Sequence, residues 1–445
     1  MSIAEYLKFN QKINYKNEIL AGLTVAMTMI PESLSFAILA GLSPLIGLYG
    51  AFIMGIVTAI FGGRPAMVSG GAGATVITLI ALNATYGEQY IFAAVALAGV
   101  FQIVVGVFKL GRFVRLIPQP VMYGFLNGLA VVIFMSQIEQ FKSTTNGITS
   151  WLSGTPFYTM AGLTLITVLV VYFFPKLTKI IPASLVAILV TFLLVIGFNI
   201  DTKTVGDIAS IKGELPSFHI PSVPFTLETL KIILPYSIIM GSVGLIETLL
   251  TLTLVDEVTE TKGTSNKECL AQGAANITNG FFGGMGGCAM IAQTFVNLDA
   301  GSRSRLGPAI GAITILIIIL IGAPVIEKIP MAALVGVMMM VAISTFKWGF
   351  FKLITKMPKS DVFVSILVAI ITIVLHNLAL AVFVGVIVSA LVFAWDNAKR
   401  IRARKSIDEN GRKIYEIYGP LFFGSTSTFL EKFEINKVEY LEESS

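Results

Sequence analysis

Two glutamates stand inside long apolar stretches of this chain, where ionisable side chains are rare. Glu32 lies in the sequence IPESLSFA and Glu247 lies in GLIETLLT, so each half of the chain carries one. An ionised carboxylate costs free energy in hydrocarbon, and an acid within a membrane segment therefore usually serves an ion or substrate pathway. Such a carboxylate can hold Na⁺, or it can carry a proton. The two glutamates are therefore candidates for ion coupling.

Glycine-rich breaks follow both glutamates. Each acid precedes a Phe-Gly-Gly, at 61–63 and at 282–284, which leads into a short apolar stretch containing SGGAGATV or GGMGGCAM. About a dozen helical residues measure roughly 18 Å, whereas the hydrocarbon core of a bilayer is about 30 Å thick. We therefore expect two half-helices, at 71–84 and 288–298, whose N-termini end near the middle of the membrane. Such a pair of interrupted segments is typical of a secondary transporter built from two repeats.

The N–H groups at these half-helix ends could form an anion site. A helix N-terminus carries about half a positive charge, and two such ends facing each other would bind an anion without an arginine. The candidate donors are the backbone at Ala72, Gly73 and Ala74 and at Cys288, Ala289, Met290 and Ile291. Gln293 lies one turn beyond Ala289 and could reach the same place with its amide. The alternative is that the small residues only allow tight helix packing.

Each glutamate has a neighbour that bears on its role. Thr251 follows Glu247 by one helical turn, on the same face. A carboxylate and a hydroxyl near half-helix carbonyls could hold Na⁺, while a protonated Glu247 could carry H⁺ instead; a structural acid bound to a neighbouring helix is the remaining alternative. Pro31 precedes Glu32 and predicts a kinked or unwound turn. From that turn Glu32 would either assist proton coupling or cap a broken helix.

Composition identifies an all-α polytopic membrane protein. Of the 445 residues, 55% are hydrophobic and 13% are charged, whereas a soluble domain carries about 25% charged residues. Both cysteines lie in apolar stretches, which excludes a disulfide scaffold. A membrane enzyme would need clustered polar catalytic residues or a large polar domain, and the sequence shows neither. We therefore expect no enzymatic activity and no cofactor other than Na⁺.

The apolar sequence predicts 14 membrane segments, two of them the half-helices, with seven on each side of a polar stretch at 200–228. The segments lie at 18–40, 44–62, 71–84, 90–108, 117–138, 158–175, 181–199, 229–253, 268–283, 288–298, 307–326, 330–345, 360–376 and 378–397. They divide the chain into a cytoplasmic segment, a first membrane repeat, an extracellular connection, a second membrane repeat and a cytoplasmic tail, at 1–16, 17–200, 201–228, 229–400 and 401–445.

Charge sets the expected orientation. With the N-terminus inside, most of the 31 lysines and arginines fall on the cytoplasmic side, as the positive-inside rule requires. The net charge of +5 therefore reports topology rather than nucleic-acid binding. Arg303 and Arg305 are expected at lipid headgroups, and Asp256 is expected in a solvated loop after the eighth segment.

These motifs resemble the SulP family of anion transporters. The matching stretches are IPESLSFAILAGLSPLIGLYGAF at 30–52, the FGG…SGGAGATV run at 61–76, the stretch from GLIETLLT to FFGGMGG at 244–287, and NLDAGSRSRLGP at 297–308. The resemblance implies a seven-plus-seven inverted repeat. It implies a core domain of helices 1–4 and 8–11 that moves against a gate domain of helices 5–7 and 12–14. It also implies an anion site between the N-termini of helices 3 and 10, with side chains from helix 1.

Carried over to this sequence, the resemblance assigns roles to particular residues. Substrate binding falls to Glu32, Phe36, Ala72, Gly73, Met290, Ile291, Ala292 and Gln293. In bicarbonate-type members the acid of helix 8 and the hydroxyl one turn later bind Na⁺, and Glu247 and Thr251 match those positions. We group Cys288, at the start of the tenth segment, with this coupling pair.

The chain departs from the family pattern at three places. Many members have Pro-Val-Thr at 286–288, many have glutamine in place of Glu32, and several have a basic residue in place of Gln293. These changes make the expected site less positive. Sulfate, bicarbonate and a small organic acid therefore all remain open as substrates.

The tail resembles the opening of a STAS domain. The stretch RKIYEIYGPLFFGSTSTFLEKFE at 412–434 predicts a strand, a turn at Gly419 and Pro420, a second strand, and a helix from near Ser425. We therefore expect a partial STAS domain at 401–445. The family usually forms dimers, partly through this domain, and a homodimer of this chain remains open.

The function predicted from the sequence is secondary active transport of a small inorganic or carboxylate anion, coupled to Na⁺ or H⁺. The expected place is the cell membrane, with both termini cytoplasmic, and the expected partners are the anion and the lipid bilayer. A nucleobase permease of the same fold is one alternative, although it would need a further acid on helix 10 for ring N–H groups. An uncoupled anion channel of the same fold is the other.

Overall fold

The computed structural model describes residues 14–111, 118–145, 148–178, 181–208, 213–375, 378–398, 402–407 and 413–418, and positions 426 and 430. Within these residues the chain is mainly helical. The first eight helices are α1 (Tyr15–Leu39), α2 (Pro44–Phe61), α3 (Gly73–Ile77), α4 (Ile80–Tyr86), α5 (Glu88–Val107), α6 (Gln119–Glu139), α7 (Thr155–Leu177) and α8 (Ala183–Gly197). The next eight are α9 (Leu227–Thr259), α10 (Ser265–Phe281), α11 (Ile291–Asp299), α12 (Leu306–Ile326), α13 (Met331–Thr345), α14 (Gly349–Leu353), α15 (Lys359–Leu375) and α16 (Leu378–Ala398).

Helices occupy the apolar segments expected from the sequence, with ends that differ by several residues. Among the described residues, seven helical stretches are long and apolar enough to cross a membrane. Others are shorter, such as α8 with 15 residues and α15 with 17. The chain is thus a multi-pass membrane protein, while the number of 14 membrane segments stays a prediction.

Two short strands cross at the start of the half-helices. β1 (Ser69–Gly70) precedes α3, β4 (Cys288–Ala289) precedes α11, and the two pair antiparallel with Ser69 opposite Ala289. Extended backbone away from water must find its hydrogen-bond partners inside the protein, and each strand supplies them for the other. We call β1 and β4 the strand crossing. α3 and α4 are five and seven residues long and α11 is nine, so each half-helix stops short of a full span.

The helices form two groups by their contacts. α1, α2, α3, α5, α9, α10, α11 and α12 pack on one another around the strand crossing and form what we call the crossing bundle. α6, α7, α8, α13, α15 and α16 pack on one another and form the flanking bundle. The two bundles meet where α1 contacts α8 and α13, where α9 contacts α16, and where α3 contacts α6. The anion site expected from the sequence therefore lies in one bundle and faces the other.

Glycines bring α5 and α10 close together. A Cβ at Gly99 would lie 2.5 Å from the carbonyl oxygen of Gly273, and a Cβ at Gly273 would lie 2.6 Å from that of Gly99. No side chain fits at either position, and glycine here lets the two backbones touch. The contact fixes α10, which in turn braces the strand crossing.

Buried charges hold the helix ends of the crossing bundle. Arg305 is buried, and its guanidinium donates to the carbonyl oxygens of Ala59 and Gly62 at the end of α2. The expectation of a headgroup anchor was wrong for Arg305, because the unpaired carbonyls at a helix C-terminus offer a cation a better place. At the start of α12 the Glu18 carboxylate accepts from the N–H of Gly307 at 2.8 Å.

Asp256 also lies elsewhere than expected. α9 continues to Thr259, so Asp256 is on a helix rather than in a solvated loop. Its carboxylate pairs with the buried guanidinium of Arg64 at 3.3 Å. A buried guanidinium is costly unless it is paired, and this ion pair joins the end of α9 to the turn after α2.

Two hairpins complete the described residues. β2 (Lys142–Thr145) pairs with β3 (Ile148–Trp151) between α6 and α7, a stretch that no predicted segment covers. In the tail, β5 (Arg402–Ile407) pairs with β6 (Lys413–Tyr418). β6 coincides with the first predicted strand of the tail, whereas β5 was not predicted. The expected turn at Gly419 and the elements after it lie outside the described residues, apart from positions 426 and 430.

Candidate functional site

A cavity of about 200 Å³ lies at the N-terminal ends of α3 and α11. The crossing bundle contributes Glu32, Phe36, Ala72, Gly73, Ala74, Glu247, Met290, Ile291, Ala292 and Gln293 to its wall. The flanking bundle and the turn after α13 contribute Leu126, Leu129, Ile133, Val341, Ser344, Thr345 and Lys347. The cavity therefore brings together most of the residues that the sequence proposed for substrate binding.

The first amide groups of both half-helices lie at this cavity. Intrahelical hydrogen bonds begin at the N–H of Thr75 in α3 and at the N–H of Thr294 in α11. The N–H groups just before them, those of Gly73 and Ala74 and those from Ile291 to Gln293, have no acceptor in their own helix. Their partial positive charge makes this end of the cavity attractive to an anion.

The donors in the second half-helix lie slightly later than the sequence predicted. The N–H of Ala289 donates to the Thr248 hydroxyl at 3.1 Å, and the N–H of Met290 donates to the carbonyl oxygen of Val68 at 2.9 Å. Both amides are therefore consumed within the strand crossing, and Ala289 does not line the cavity. The extended backbone before α11 uses the N–H groups of Ala289 and Met290 in these bonds. The amides of α11 that remain for an anion therefore begin at Ile291.

Glu32 and Gln293 join α1 to α11 across the cavity wall. The amide Nε2 of Gln293 donates a hydrogen bond to Oε2 of Glu32, and both side chains are buried. α1 runs without interruption from Tyr15 to Leu39, so the unwound turn expected at Pro31 does not occur. The Glu32 carboxylate reaches the cavity because that face of α1 packs against α11. Phe36, one turn on, lies so close to Gly73 that a Cβ there would be 2.7 Å from the ring.

Glu247 reaches the same cavity from α9. Its Oε2 accepts a hydrogen bond from the thiol of Cys288 at 3.1 Å, which links α9 to the strand crossing. Thr251 is fully buried, donates to the backbone carbonyl of Glu247 at 2.8 Å and does not line the cavity. The structure thus brings Cys288 to Glu247 and turns the Thr251 hydroxyl back onto its own helix.

The described residues do not form a cluster of metal-binding side chains. No group of three or more His, Cys, Asp or Glu side chains among them could hold a metal ion. His219 is one of the two histidines, and His376 lies outside the described residues. Na⁺ could still be held by one carboxylate and backbone carbonyls, and that role stays a prediction for Glu247.

Lys347 is a cavity residue that the sequence reasoning missed. It follows the last turn of α13 and lines the cavity together with Ser344 and Thr345. Its backbone N–H donates to Oδ1 of the buried Asn127 on α6 at 2.7 Å. The sequence placed Lys347 among the cytoplasmic lysines. The only available signal was the pair of hydroxyl residues in the last turn of an apolar segment.

A polar ladder on α10 braces the strand crossing. Gln272 Nε2 donates to the hydroxyl of Ser69 at 2.8 Å. Oδ1 of Asn276 accepts from the N–H of Gly287 at 2.9 Å, and its Nδ2 donates to Gln102 Oε1 at 2.9 Å. All are buried. The ladder was missed although Glu268, Gln272 and Asn276 recur every four residues in the sequence, which places them on one helical face.

Asn276→Leu tests whether this ladder positions the half-helices. The substitution leaves the N–H of Gly287 buried without a partner, which costs about 1–3 kcal/mol, and it frees β4 to shift. We expect a lower melting temperature and about tenfold weaker anion binding, since a misplaced donor pair loses its alignment. The control is Thr278→Val on the same helix, whose hydroxyl bonds only to the carbonyl of Ala274. Unchanged anion binding in Asn276→Leu would contradict the bracing role.

Comparisons with known proteins agree with this geometry. The model of the sulfate permease family matches residues 15–368. The chain is 40% identical over 429 residues to the candidate sulfate transporter YbaR of Bacillus subtilis (strain 168), covering 96% of this chain and 87% of that protein. It is 30% identical over 463 residues to the bicarbonate transporter BicA of Picosynechococcus sp. (strain ATCC 27264 / PCC 7002 / PR-6), covering 94% of this chain and 81% of BicA.

A solved structure shows the same fold. The transmembrane domain of a cyanobacterium bicarbonate transporter BicA superposes with a TM-score of 0.72 at 28% sequence identity. The match covers 86% of this chain and 98% of that domain. The helical arrangement described above is therefore that of a membrane transporter, and these relatives are transporters rather than enzymes.

Proposed function

Because this chain belongs to the sulfate permease family, we propose that it is a secondary active transporter of a small anion, coupled to H⁺ or Na⁺. One observation carries the proposal. The first residues of two half-helices, whose N–H groups have no acceptor in their own helices, line one cavity that the acids Glu32 and Glu247 also line. The amide donors suit an anion, and the acids suit a cation or proton that travels with it.

We propose sulfate or bicarbonate as the substrate, with a small carboxylate as a third choice. The names of YbaR and BicA support the first two. Gln293 brings an amide to the wall rather than a charge, and it already donates to Glu32. The site would therefore bind its substrate mainly through backbone N–H donors, which suit several oxyanions. The uptake experiment below ranks sulfate, bicarbonate and the carboxylate.

We propose H⁺ rather than Na⁺ as the coupling ion. Two carboxylates beside an anion repel it unless they are neutralised. Na⁺ is a hard cation that prefers oxygen ligands, yet the side chain bonded to Glu247 is the thiol of Cys288, and Thr251 donates to the helix backbone. Protonation needs no further ligand. It would let Glu247 remain hydrogen-bonded while the anion binds.

We propose that the crossing bundle moves against the flanking bundle during transport, as the core and gate domains of an elevator. The cavity touches the end of α13 at Thr345 and the turn after it at Lys347. Near Met331, at the opposite end of α13, the bundles enclose only about 10 Å³, beside Ser35 and Gln137. That volume holds about one water. With the N-terminus inside, the two volumes support a state in which the site faces the cytoplasm.

Two alternatives are less well supported. A nucleobase permease would need an acid on α11 near the cavity, and the described wall from Met290 to Gln293 holds none. An uncoupled channel would not need a buried acid in contact with the strand crossing, which Glu247 provides. The inverted repeat, the domain boundaries, a partial STAS domain in the tail and a homodimer remain proposals from the resemblance.

Uptake by proteoliposomes tests the function. Vesicles loaded with buffer receive an imposed H⁺ or Na⁺ gradient, and labelled sulfate, bicarbonate, fumarate and uracil are compared. We expect one of the anions to accumulate when an inward H⁺ gradient is imposed. Accumulation of uracil alone would replace the proposal with the nucleobase alternative. Anion equilibration that ignores both gradients would replace it with the channel.

A further inference from the structure

The cavity contains one cationic side chain whose role the proposed function leaves open. Among the described residues that line it, Lys347 is the only base, whereas Glu32 and Glu247 are acids. The two acids are bonded within the crossing bundle, to Gln293 and Cys288. Lys347 stands on the other wall, after α13 of the flanking bundle, and its side chain is exposed. The charge of the cavity is therefore divided between its two walls.

The backbone of Lys347 is held in place. Its N–H donates to Asn127 of α6 at 2.7 Å, and Asn127 is buried. α13 ends at Thr345, and Phe346 has extended backbone, so the chain turns away from the helix axis at this point. The side chain of Lys347 thus extends at the solvent-exposed rim of the cavity rather than at its deep end, where the half-helix amides lie.

We propose that Lys347 is the capture residue for the anion on the side of the membrane to which this cavity opens. The inference rests on the proposed anion transport and adds a residue and a direction to it. A cationic group at the mouth of a cleft with low-dielectric walls raises the local concentration of an anion and its association rate. Such a group affects binding from its own side of the membrane and leaves binding from the other side unchanged.

Charge placed at position 347 tests the proposal. The native cysteines, Cys269 and Cys288, are both fully buried, so Lys347→Cys adds one accessible thiol to the described residues. Inside-out membrane vesicles expose the predicted cytoplasmic face to the medium. Impermeant thiosulfonates can then attach either a quaternary ammonium or a sulfonate at the same position. Uptake of sulfate or bicarbonate, whichever the wild-type protein accumulates, is measured with each reagent.

We expect Lys347→Cys to raise the KM for the anion about three- to tenfold. The ammonium reagent should restore the KM and the sulfonate reagent should raise it further. The difference between the reagents should shrink in 1 M salt, where the Debye length is about 3 Å. Lys352→Cys, also exposed but not lining the cavity, is the matched control and should respond to neither reagent. In right-side-out vesicles neither reagent should change the KM.

Equal effects of the two reagents, or a wild-type KM for Lys347→Cys, would overturn the capture role while transport itself stands. A lower KM with the sulfonate reagent would overturn it as well, because a negative charge at the rim would then assist anion uptake instead of opposing it. Failure of the wild-type protein to accumulate any anion would remove the proposed function and this inference together. These outcomes separate a wrong role for Lys347 from a wrong function for the protein.

Discussion

Glu247→Gln is expected to abolish gradient-driven accumulation of the anion while exchange of labelled for unlabelled anion continues. Glutamine has the size of glutamate and still offers an oxygen to the Cys288 thiol, which lies 3.1 Å from Oε2 in the wild-type protein. Glutamine cannot release a proton, and it carries no negative charge to attract Na⁺. The variant would therefore bind the anion but lose the step that ties its movement to the gradient.

The size of the effect follows from the gradient. One pH unit is worth about 1.4 kcal/mol per proton, which supports about tenfold accumulation of a monoanion that moves with one proton. Wild-type vesicles should approach that ratio, and Glu247→Gln vesicles should stay near equal concentrations inside and outside. The measurement is labelled-anion uptake with an imposed pH step, followed by a chase with unlabelled anion to show that exchange persists.

Glu257→Gln is the matched control, since Glu257 lies on the same helix and is exposed. It should accumulate the anion as the wild-type protein does. A Glu247→Gln variant that still accumulates the anion would place coupling elsewhere, with Glu32 as the next residue to test. A variant that loses exchange as well would show that Glu247 is needed for binding or movement, rather than for coupling alone.

The sequence predicted most of the residues that line the cavity through two patterns that are rare in membrane segments. An acid within an apolar helix is costly, and a glycine-rich break in such a helix exposes backbone groups that must be used. Both patterns are unfavourable on a helix that faces lipid, and both therefore predict residues that line a cavity inside the protein. Glu32, Glu247 and Gly73 could therefore be assigned to one site before their distances were known.

The missed features depend on contacts between distant parts of the chain. The sequence gives no sign that the hydroxyl of Thr248 takes the N–H of Ala289, since that partnership depends on how α9 meets the strand crossing. The burial of Arg305 likewise depends on the end of α2 lying beside it. Lys347 looked like one more cytoplasmic lysine, and only the packing of α13 on α6 brings it to the cavity.

Gly287→Ala is expected to cause the largest loss of transport among single methyl additions in the crossing bundle. A Cβ at Gly287 would lie 1.9 Å from the carbonyl oxygen of Gly70 and 3.1 Å from the Cα of Gly71. Backbone cannot move aside as a side-chain end can, so the two strands must separate. Both bonds between Gly287 and Asn276 would then be strained. Separation displaces the donors at the start of α11, and a shift of about 1 Å can cost about 100-fold in rate.

Two other glycines give a graded comparison. A Cβ at Gly71 would lie 2.1 Å from the terminal methyl of Met285, a flexible side chain that can give way. A Cβ at Gly349 would meet no heavy atom within 4 Å outside its own neighbourhood in the chain. We therefore expect transport to fall in the order Gly349→Ala, Gly71→Ala, Gly287→Ala, with the first close to the wild-type protein. Uptake rates are normalised to the folded fraction measured by thermal unfolding in detergent.

The order of the three variants separates positioning from general destabilisation. If Gly287→Ala folds but binds the anion weakly, the strand crossing sets the distance between the two half-helix ends. If it unfolds, the milder Gly71→Ala still tests the claim, because it disturbs the same crossing through a side chain. Wild-type transport in both Gly71→Ala and Gly287→Ala would contradict the claim, since an anion held by two opposed sets of backbone donors cannot be indifferent to the spacing between them.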